Sequence, residues 1–509
     1  MEKASLEDEP QQAEGIRRQK EIESGIFAPL LRFEHKMDRL LGVESGALER
    51  KLPEERGKGD SKQLYSIFAL WATSNMGLLP MSTGVLGASM GLDLKTSLAC
   101  ILCGTLLGSF LTAYVATFGP PMGMRQMTIS RYSFGWWPNK VVALLNVLQQ
   151  LGYSASDCIT GGLALRAVSD GSISRAAGII IVAVVALIVS LLGLRYVKKW
   201  ALYAWILSFL VFLIVFGEAG YTADNHTRSQ VSGTELAGTV LSFLSITYSY
   251  TGSMCAIASD YYVDYPADIS RWKVFALSSA GLTLPSTISM WAGAVAGSSI
   301  LSDPRRKAVY ENGEIGSLFL DVLHPSGFAK ALLVLMLLSV INGKILSSYS
   351  APISWQNIFT LFEYVPRFIW TVCGTGIAIG LAMGGGKLDT YLNDFLSFLA
   401  YWLTSYFIII FEEHVLFRKA SFSQYDLDAW NDPKRLPHGF ASALTFLATV
   451  VMWVMGMANQ VYAGPVARQF GGNGGDVAVE LTFALGCVLY PPLRALELYF
   501  LVNDLCRRS

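Results

Sequence analysis

Twelve apolar stretches of about 18 or more residues alternate along this chain with charged or Gly/Pro-rich turns. They fall near 64–90, 94–118, 140–167, 176–195, 199–219, 237–261, 273–300, 329–352, 365–384, 390–416, 439–464 and 477–502. A helix of that length crosses the roughly 30 Å hydrocarbon core of a bilayer. The pattern therefore predicts an all-α, multi-pass membrane protein of twelve transmembrane helices, with a polar cytoplasmic tail over 1–62, a helical transporter domain over 63–502 and a short cytoplasmic tail over 503–509. Most of the 39 Lys and Arg residues lie in the N-terminal tail, in the even-numbered connections and at Arg507 and Arg508, which places both termini in the cytoplasm. The sequon Asn225-His226-Thr227 follows the fifth stretch, on the outer side in this orientation, and makes Asn225 a candidate glycosylation site.

Two stretches are interrupted. The first has Pro80, Ser82, Thr83 and Gly84 at its middle, and the sixth has Thr251, Gly252 and Ser253 followed by Met254. Paired breaks five helices apart suit a five-plus-five inverted repeat, in which unwound backbone at mid-membrane binds a substrate. Either break alone is also what a kinked helix would show, with its Ser and Thr bonded to their own backbone.

Charge inside the apolar stretches sharpens this picture. Lys344 sits near the middle of the eighth and Asp157 in the third, where Tyr153, Thr160 and Gln149 or Gln150 share its helical face. A charge at that depth costs on the order of 2.5–3.5 kcal/mol on insertion scales, so such residues face the bundle interior and pair. Asp157 is the natural candidate partner of Lys344. The pair would be a structural tie between two helices, or would face the substrate, or would carry a coupling proton at Asp157. Asp260, close to the inner end of the sixth stretch, reads as an interfacial cap.

Composition agrees and excludes other classes. The chain is 52% hydrophobic and 15% charged, with 47 glycines and zero net charge, whereas soluble domains are about a quarter charged. Of the seven cysteines, all but Cys506 lie in apolar stretches; Cys100 and Cys103 read as small core residues, with no metal or disulfide expected. No apolar core lies near Met1, so a cleaved signal peptide is not expected. Basic residues of the tail alternate with Glu and Asp, which suits a solvated segment and no nucleic-acid partner. The Gly384-Gly385-Gly386-Lys387 run lacks phosphate-loop spacing, and Glu412-Glu413-His414 reads as interfacial. With no Ser–His, paired-His or paired-Asp constellation, neither an enzyme nor a cofactor is expected.

The segment Thr117–Asn146 carries Phe118-Gly119-Pro120, Gly123-Met124-Arg125-Gln126 and Ser130-Arg131-Tyr132-Ser133-Phe134-Gly135 in close succession. It resembles the fungal purine-cytosine permeases, the Fcy-like branch of the nucleobase-cation-symport-1 family, with weaker similarity over 64–500 that includes Trp71 and Asn75. The resemblance implies a LeuT-like five-plus-five fold with two additional C-terminal helices, in the plasma membrane. It also implies proton-coupled import of purines and cytosine, with vitamin B6 precursors the substrates of one relative. In the site that it implies, Ser82 keeps the usual hydroxyl of the first helix. Tyr153 and Asp157 stand where relatives have a tryptophan and an asparagine, Met254 replaces an aromatic, and Gly343 and Lys344 replace an asparagine pair, with Asn342 just before.

An amide both donates and accepts hydrogen bonds, whereas Lys only donates and ionised Asp only accepts. The expected function is a proton-driven importer of a nucleobase or related small nitrogen heterocycle, with Ser82, Thr83, Tyr153, Asp157, Gly252, Ser253, Met254, Gly343 and Lys344 at its site. A carrier of a charged or zwitterionic metabolite, or a non-transporting membrane sensor, are the alternatives. The expected partners are a small-molecule substrate, a co-transported proton and the lipid bilayer; oligomeric state is left open.

Overall fold

The structure is a computed structural model that describes residues 29–30, 48–57, 59–191, 194–359, 361–362, 365–459, 462–472 and 474–508. The described chain is helical apart from one isolated bridge between Ala458 and Ala463. Its main helices are α1 (Ser61–Asn75), α2 (Leu78–Ser89), α3 (Leu94–Ala116), α4 (Pro138–Val168), α5 (Arg175–Leu191), α6 (Leu194–Gly220) and α7 (Gly233–Gly252). They continue with α8 (Arg271–Ser302), α9 (Pro304–Val322), α10 (Ser326–Ile358), α11 (Arg367–Gly384), α12 (Leu388–Glu412), α13 (Phe440–Gly456) and α14 (Ala478–Arg508).

Among the described residues six helices are long and apolar enough to cross a membrane: α3, α6, α10, α11, α12 and α14. Shorter apolar helices are α2, α5 and α13. The long helices α4 and α8 fall outside this set because their serines, threonines and amides face protein: Gln149, Gln150, Ser156, Asp157 and Thr160 of α4 are all buried. The charged helix α9 was not foreseen; Arg305, Arg306, Lys307, Glu311 and Glu314 give it no apolar run.

Helices α1, α2, α3, α7 and α8 pack on one another, and α4, α5, α10 and α11 form a second group. Within the first, α2 and α8 cross at backbone contact: a Cβ on Gly84 or Gly293 would lie 1.9 Å from the Met290 or Met81 carbonyl oxygen, respectively. Only glycine fits such a crossing, as in other small-residue membrane interfaces. The most extensive contact in the second group is α4 on α10.

Several expected placements change. Glu412, Glu413 and His414 are buried, not interfacial, and Cys103 and Cys373 lie exposed on helix surfaces instead of in the core. The side chain of Cys506, and nearly all of the tail before Leu48, lie outside the described residues. Glu413 is held by Arg494 of α14 through Nε and Nη2, both at 2.9 Å, by Tyr490 at 3.0 Å and by Arg418 at 3.1 Å. Arg494 also reaches Glu497 at 3.1 Å, and Glu497 caps the start of α13 by accepting from the Gly439, Phe440 and Ala441 N–H groups.

Removing one member of a buried ion network leaves an uncompensated charge, which costs about 3–5 kcal/mol. Arg494→Ala is therefore expected to lower the stability of the purified protein by that amount in a denaturant titration. A loss below about 1 kcal/mol would contradict this account of how α12, α13 and α14 are joined.

Candidate functional site

The break in the first stretch lies at Met76–Gly77, a few residues before the Pro80–Gly84 segment expected to interrupt it. Met76 (φ −102°, ψ 94°) ends α1, Gly77 is fully extended, and Ser82, Thr83 and Gly84 are ordinary helix. Pro80 falls in the first turn of α2, where its missing N–H costs nothing. Serines from two other helices satisfy the freed donors: Gly77 N–H donates to Ser289 Oγ (3.3 Å) on α8 and Leu78 N–H to Ser339 Oγ (3.1 Å) on α10.

The sixth stretch is interrupted where expected. α7 ends at Gly252 and continues as two tight 3-10 turns, Ser253–Ala256 and Ala258–Tyr261. Its released carbonyls also find side chains. Thr112 of α3 donates to Thr251 O (2.7 Å), Gln149 of α4 to Ser253 O (2.8 Å) and Asn146 of α4 to Ala256 O (3.3 Å).

Between these two breaks lies a small cavity of about 30 Å³, room for one or two waters. Ser74, Gly77 and Pro80 line it from the first break, Gln150, Tyr153 and Asp157 from α4, Tyr250 and Met254 from the second break, and Ser339, Gly343 and Ser347 from α10. Of the expected site residues, Tyr153, Asp157, Met254 and Gly343 meet here. Ser82 and Thr83 bond back to Leu78 O (2.9 Å) and Leu79 O (3.2 Å) inside α2 and do not line the cavity. Gly252 and Ser253 stand just behind its wall, where Ser253 Oγ and the Tyr153 hydroxyl are 2.5 Å apart. Thr160, one turn from Asp157 on α4, bonds back to Ser156 O at 2.8 Å and does not line the cavity.

Lys344 is fully buried, lies outside the cavity wall and donates to Cys158 Sγ at 2.9 Å. The expected Asp157–Lys344 contact is not made: no ion pair joins them among the described residues, although their charges are near enough to interact. Gly343 has no side chain, and a Cβ there would sit 3.3 and 3.4 Å from the two Asp157 oxygens. The carboxylate rests beside this glycine, and the next residue, Lys344, reaches Cys158 instead.

Missing from the expected set were Ser339 and Ser347, one turn to either side of Gly343, and Tyr250 just before the second break. The small-residue spacing Ser339, Gly343, Ser347 at four-residue intervals is the signal that marks this face of α10.

The motif around residues 119–135 lies away from the cavity and works as a junction. Gln126 N–H donates to Asp260 Oδ1 (2.8 Å), its side-chain amide to the Tyr406 hydroxyl on α12 (2.8 Å), and its carbonyl oxygen accepts from Ser259 N–H (3.3 Å). Asp260 is buried and does cap, but the capped turn is Gln126–Ile129. Arg125 bonds the Asp260 carbonyl, and Arg131 reaches Asn357 (2.9 Å) and the Trp430 carbonyl (3.1 Å). Phe134 stacks on Tyr406, while Gly123 and Gly135 take φ of +66° and +76°. Gly119 packs against Tyr262, and Arg56 bonds the carbonyl of Pro120.

Helices long and apolar enough to cross a membrane, together with two others broken beside a small cavity that Asp157 and Gln150 line, have the make-up of a membrane transporter. Among the described residues no cluster of His, Cys, Asp and Glu could hold a metal. The family described as "Permease for cytosine/purines, uracil, thiamine, allantoin" matches residues 53–469, and this chain belongs to it. The chain is 33% identical over 464 residues to the purine-cytosine permease fcyB of Emericella nidulans, covering 90% of each chain. It is 31% identical over 510 residues to the vitamin B6 transporter TPN1 of Saccharomyces cerevisiae, covering 90% of this chain and 88% of that one. In fold it is similar to Mhp1, a nucleobase-cation-symport-1 family transporter solved in a closed conformation with bromovinylhydantoin bound (TM-score 0.62, 13% identity, 89% of this chain and 96% of that one). The relatives are transporters, and this chain is not an enzyme.

Ser339→Ala would strand the buried Leu78 N–H, which costs about 1–3 kcal/mol. The variant is expected to lose that much stability in a denaturant titration; unchanged stability would remove Ser339 as the partner that holds the first break open.

Proposed function

We propose that this protein is a proton-coupled importer of a small nitrogen heterocycle, of the nucleobase or vitamin type, working in the plasma membrane with both termini cytoplasmic. The reading takes the fourteen helices as twelve spans: α1 and α2 as the two halves of the first, α9 as an outer connection, and α13 and α14 as two helices beyond a five-plus-five repeat. The grouping of α1, α2, α3, α7 and α8 against α4, α5, α10 and α11 supports the repeat.

The observation that carries the reading is Asp157: an acid only 3% exposed, on the wall of a cavity between two helix breaks. An intramembrane carboxylate in such a place marks a substrate or proton pathway. The substrate would enter against Asp157, Tyr153, Tyr250 and Met254, with Lys344 held nearby on Cys158. Purine-cytosine and vitamin B6 carriers among the relatives point to planar nitrogen rings as cargo.

Uptake of radiolabelled cytosine, adenine, hypoxanthine and pyridoxine is to be measured at acid and neutral pH in a fungal strain lacking its own permeases. Saturable uptake of at least one ring, faster at acid pH and cut at least tenfold in Asp157→Asn, is expected. No uptake of any ring by protein located at the plasma membrane would overturn the reading.

A further inference from the structure

The Asp157 carboxylate lines the cavity while being 3% exposed, and neither of its oxygens meets a hydrogen-bond donor among the described residues. Lys344, near enough for its charge to act on Asp157, makes its hydrogen bond to Cys158 and none to the carboxylate. A buried carboxylate is ordinarily paired and hydrogen-bonded, so a seat with two open acceptor oxygens is shaped for a ligand that brings two donors. Gly343 leaves the space: a Cβ at that position would lie 3.3 and 3.4 Å from the two oxygens.

Building on the carrier reading above, we infer that Asp157 selects heterocycles with an amidine edge, a ring nitrogen beside an amino-bearing carbon, and holds them in N-protonated form by two parallel N–H···O bonds. In the neutral ring this edge offers one donor, the amino group, and one lone pair. A proton added to the ring nitrogen occupies that lone pair, breaks no bond and turns the edge into two adjacent donors. Two charge-assisted bonds to one carboxylate are the strong, geometrically selective arrangement that guanidinium groups also use. Substrate and proton then share one site, and the charge of the bound cation is balanced by Asp157.

The oxo counterpart of such a ring presents one N–H beside a carbonyl oxygen, which would face a carboxylate oxygen with no proton between them. The other titratable groups around Asp157 are Tyr153 and Cys158 on α4, Tyr250 on α7 and Lys344 on α10. Tyr153 is already bonded to Ser253 and Lys344 to Cys158, which leaves the carboxylate as the acidic group facing the ligand.

The test uses purified full-length protein and three pairs of probes: cytosine and uracil, adenine and hypoxanthine, 2-aminopyridine and 2-pyridone. Binding is read by thermal stabilisation, and labelled cytosine uptake is followed in proteoliposomes. Each amino probe is expected to bind at least tenfold tighter than its oxo partner. Asp157→Asn is expected to shrink that gap to threefold or less, since an amide can meet either edge. Gly343→Ala, which keeps the charge and crowds the oxygens, is expected to weaken the amino probes selectively, and remains informative if Asp157→Asn does not fold. Equal binding of the partners by the unaltered protein, an undiminished gap in Asp157→Asn, or no binding of any amino probe would overturn the inference. Cytosine uptake without amino preference defeats this inference and leaves the carrier reading standing; amino-selective binding without uptake does the reverse.

Discussion

Everything at the centre of this protein depends on one constraint: a helix broken inside a bilayer exposes backbone N–H and C=O groups that no water or lipid can satisfy. The first break is stabilised by two serines, Ser289 and Ser339, and the second by Thr112, Gln149 and Asn146. These side chains come from α3, α4, α8 and α10. The breaks can exist only where these helices converge, and the cavity lies at that same point because irregular backbone cannot pack as tightly as helix.

The same constraint explains why α4 and α10 are so polar and so closely joined. α4 supplies Asn146 and Gln149 to the second break and Asp157 to the cavity, while α10 supplies Ser339 to the first break. Helices carrying such groups cannot face lipid, and small residues such as Gly343 let their backbones approach. The cost of burying Asp157 and Lys344 is then a property of this interface and not of one ion pair: Lys344 takes the sulfur of Cys158 as its partner, and the neighbouring Asp157 carboxylate takes the cavity.

Much of the architecture could be read from the hydrophobic pattern, because a membrane helix must be apolar wherever it meets lipid. The interior was harder to read. The first break falls at Met76–Gly77 rather than around Pro80 because proline in a first turn starts a helix as readily as it ends one, and a sequence shows the residue without the register. Asp157 and Lys344 each signal a buried charge, but that Lys344 reaches Cys158 and not Asp157 is a matter of packing between two helices, which the sequence does not show. Glu413 looked interfacial from its position near the end of an apolar run; its partner Arg494 lies about eighty residues on, at a distance that no local pattern encodes. The motif at 119–135 was conspicuous in the sequence, and its role as a junction beneath the site became legible only with Asp260 and Tyr406 in place.

That junction bears on how the site can work. A cavity of about 30 Å³ has room for water and not for a six-membered ring, so a ligand must displace the groups that line it. Among the described residues the polar bonds that cross between the two helix groups include Leu78 to Ser339, Gln149 to Ser253, Asn146 to Ala256, Tyr153 to Ser253 and to Tyr250, and Tyr261 to Ser350. Most of them satisfy a helix break or flank Asp157. Opening the site therefore disturbs the groups that define it, and a ligand able to replace those bonds stabilises a conformation that the empty protein can reach only at a cost. Gln126, bonded to Ser259 in the turns after α7 and to Tyr406 on α12 at once, ties the broken helix to the rest of the fold. Substrate recognition and conformational change are in this way carried by the same set of hydrogen bonds.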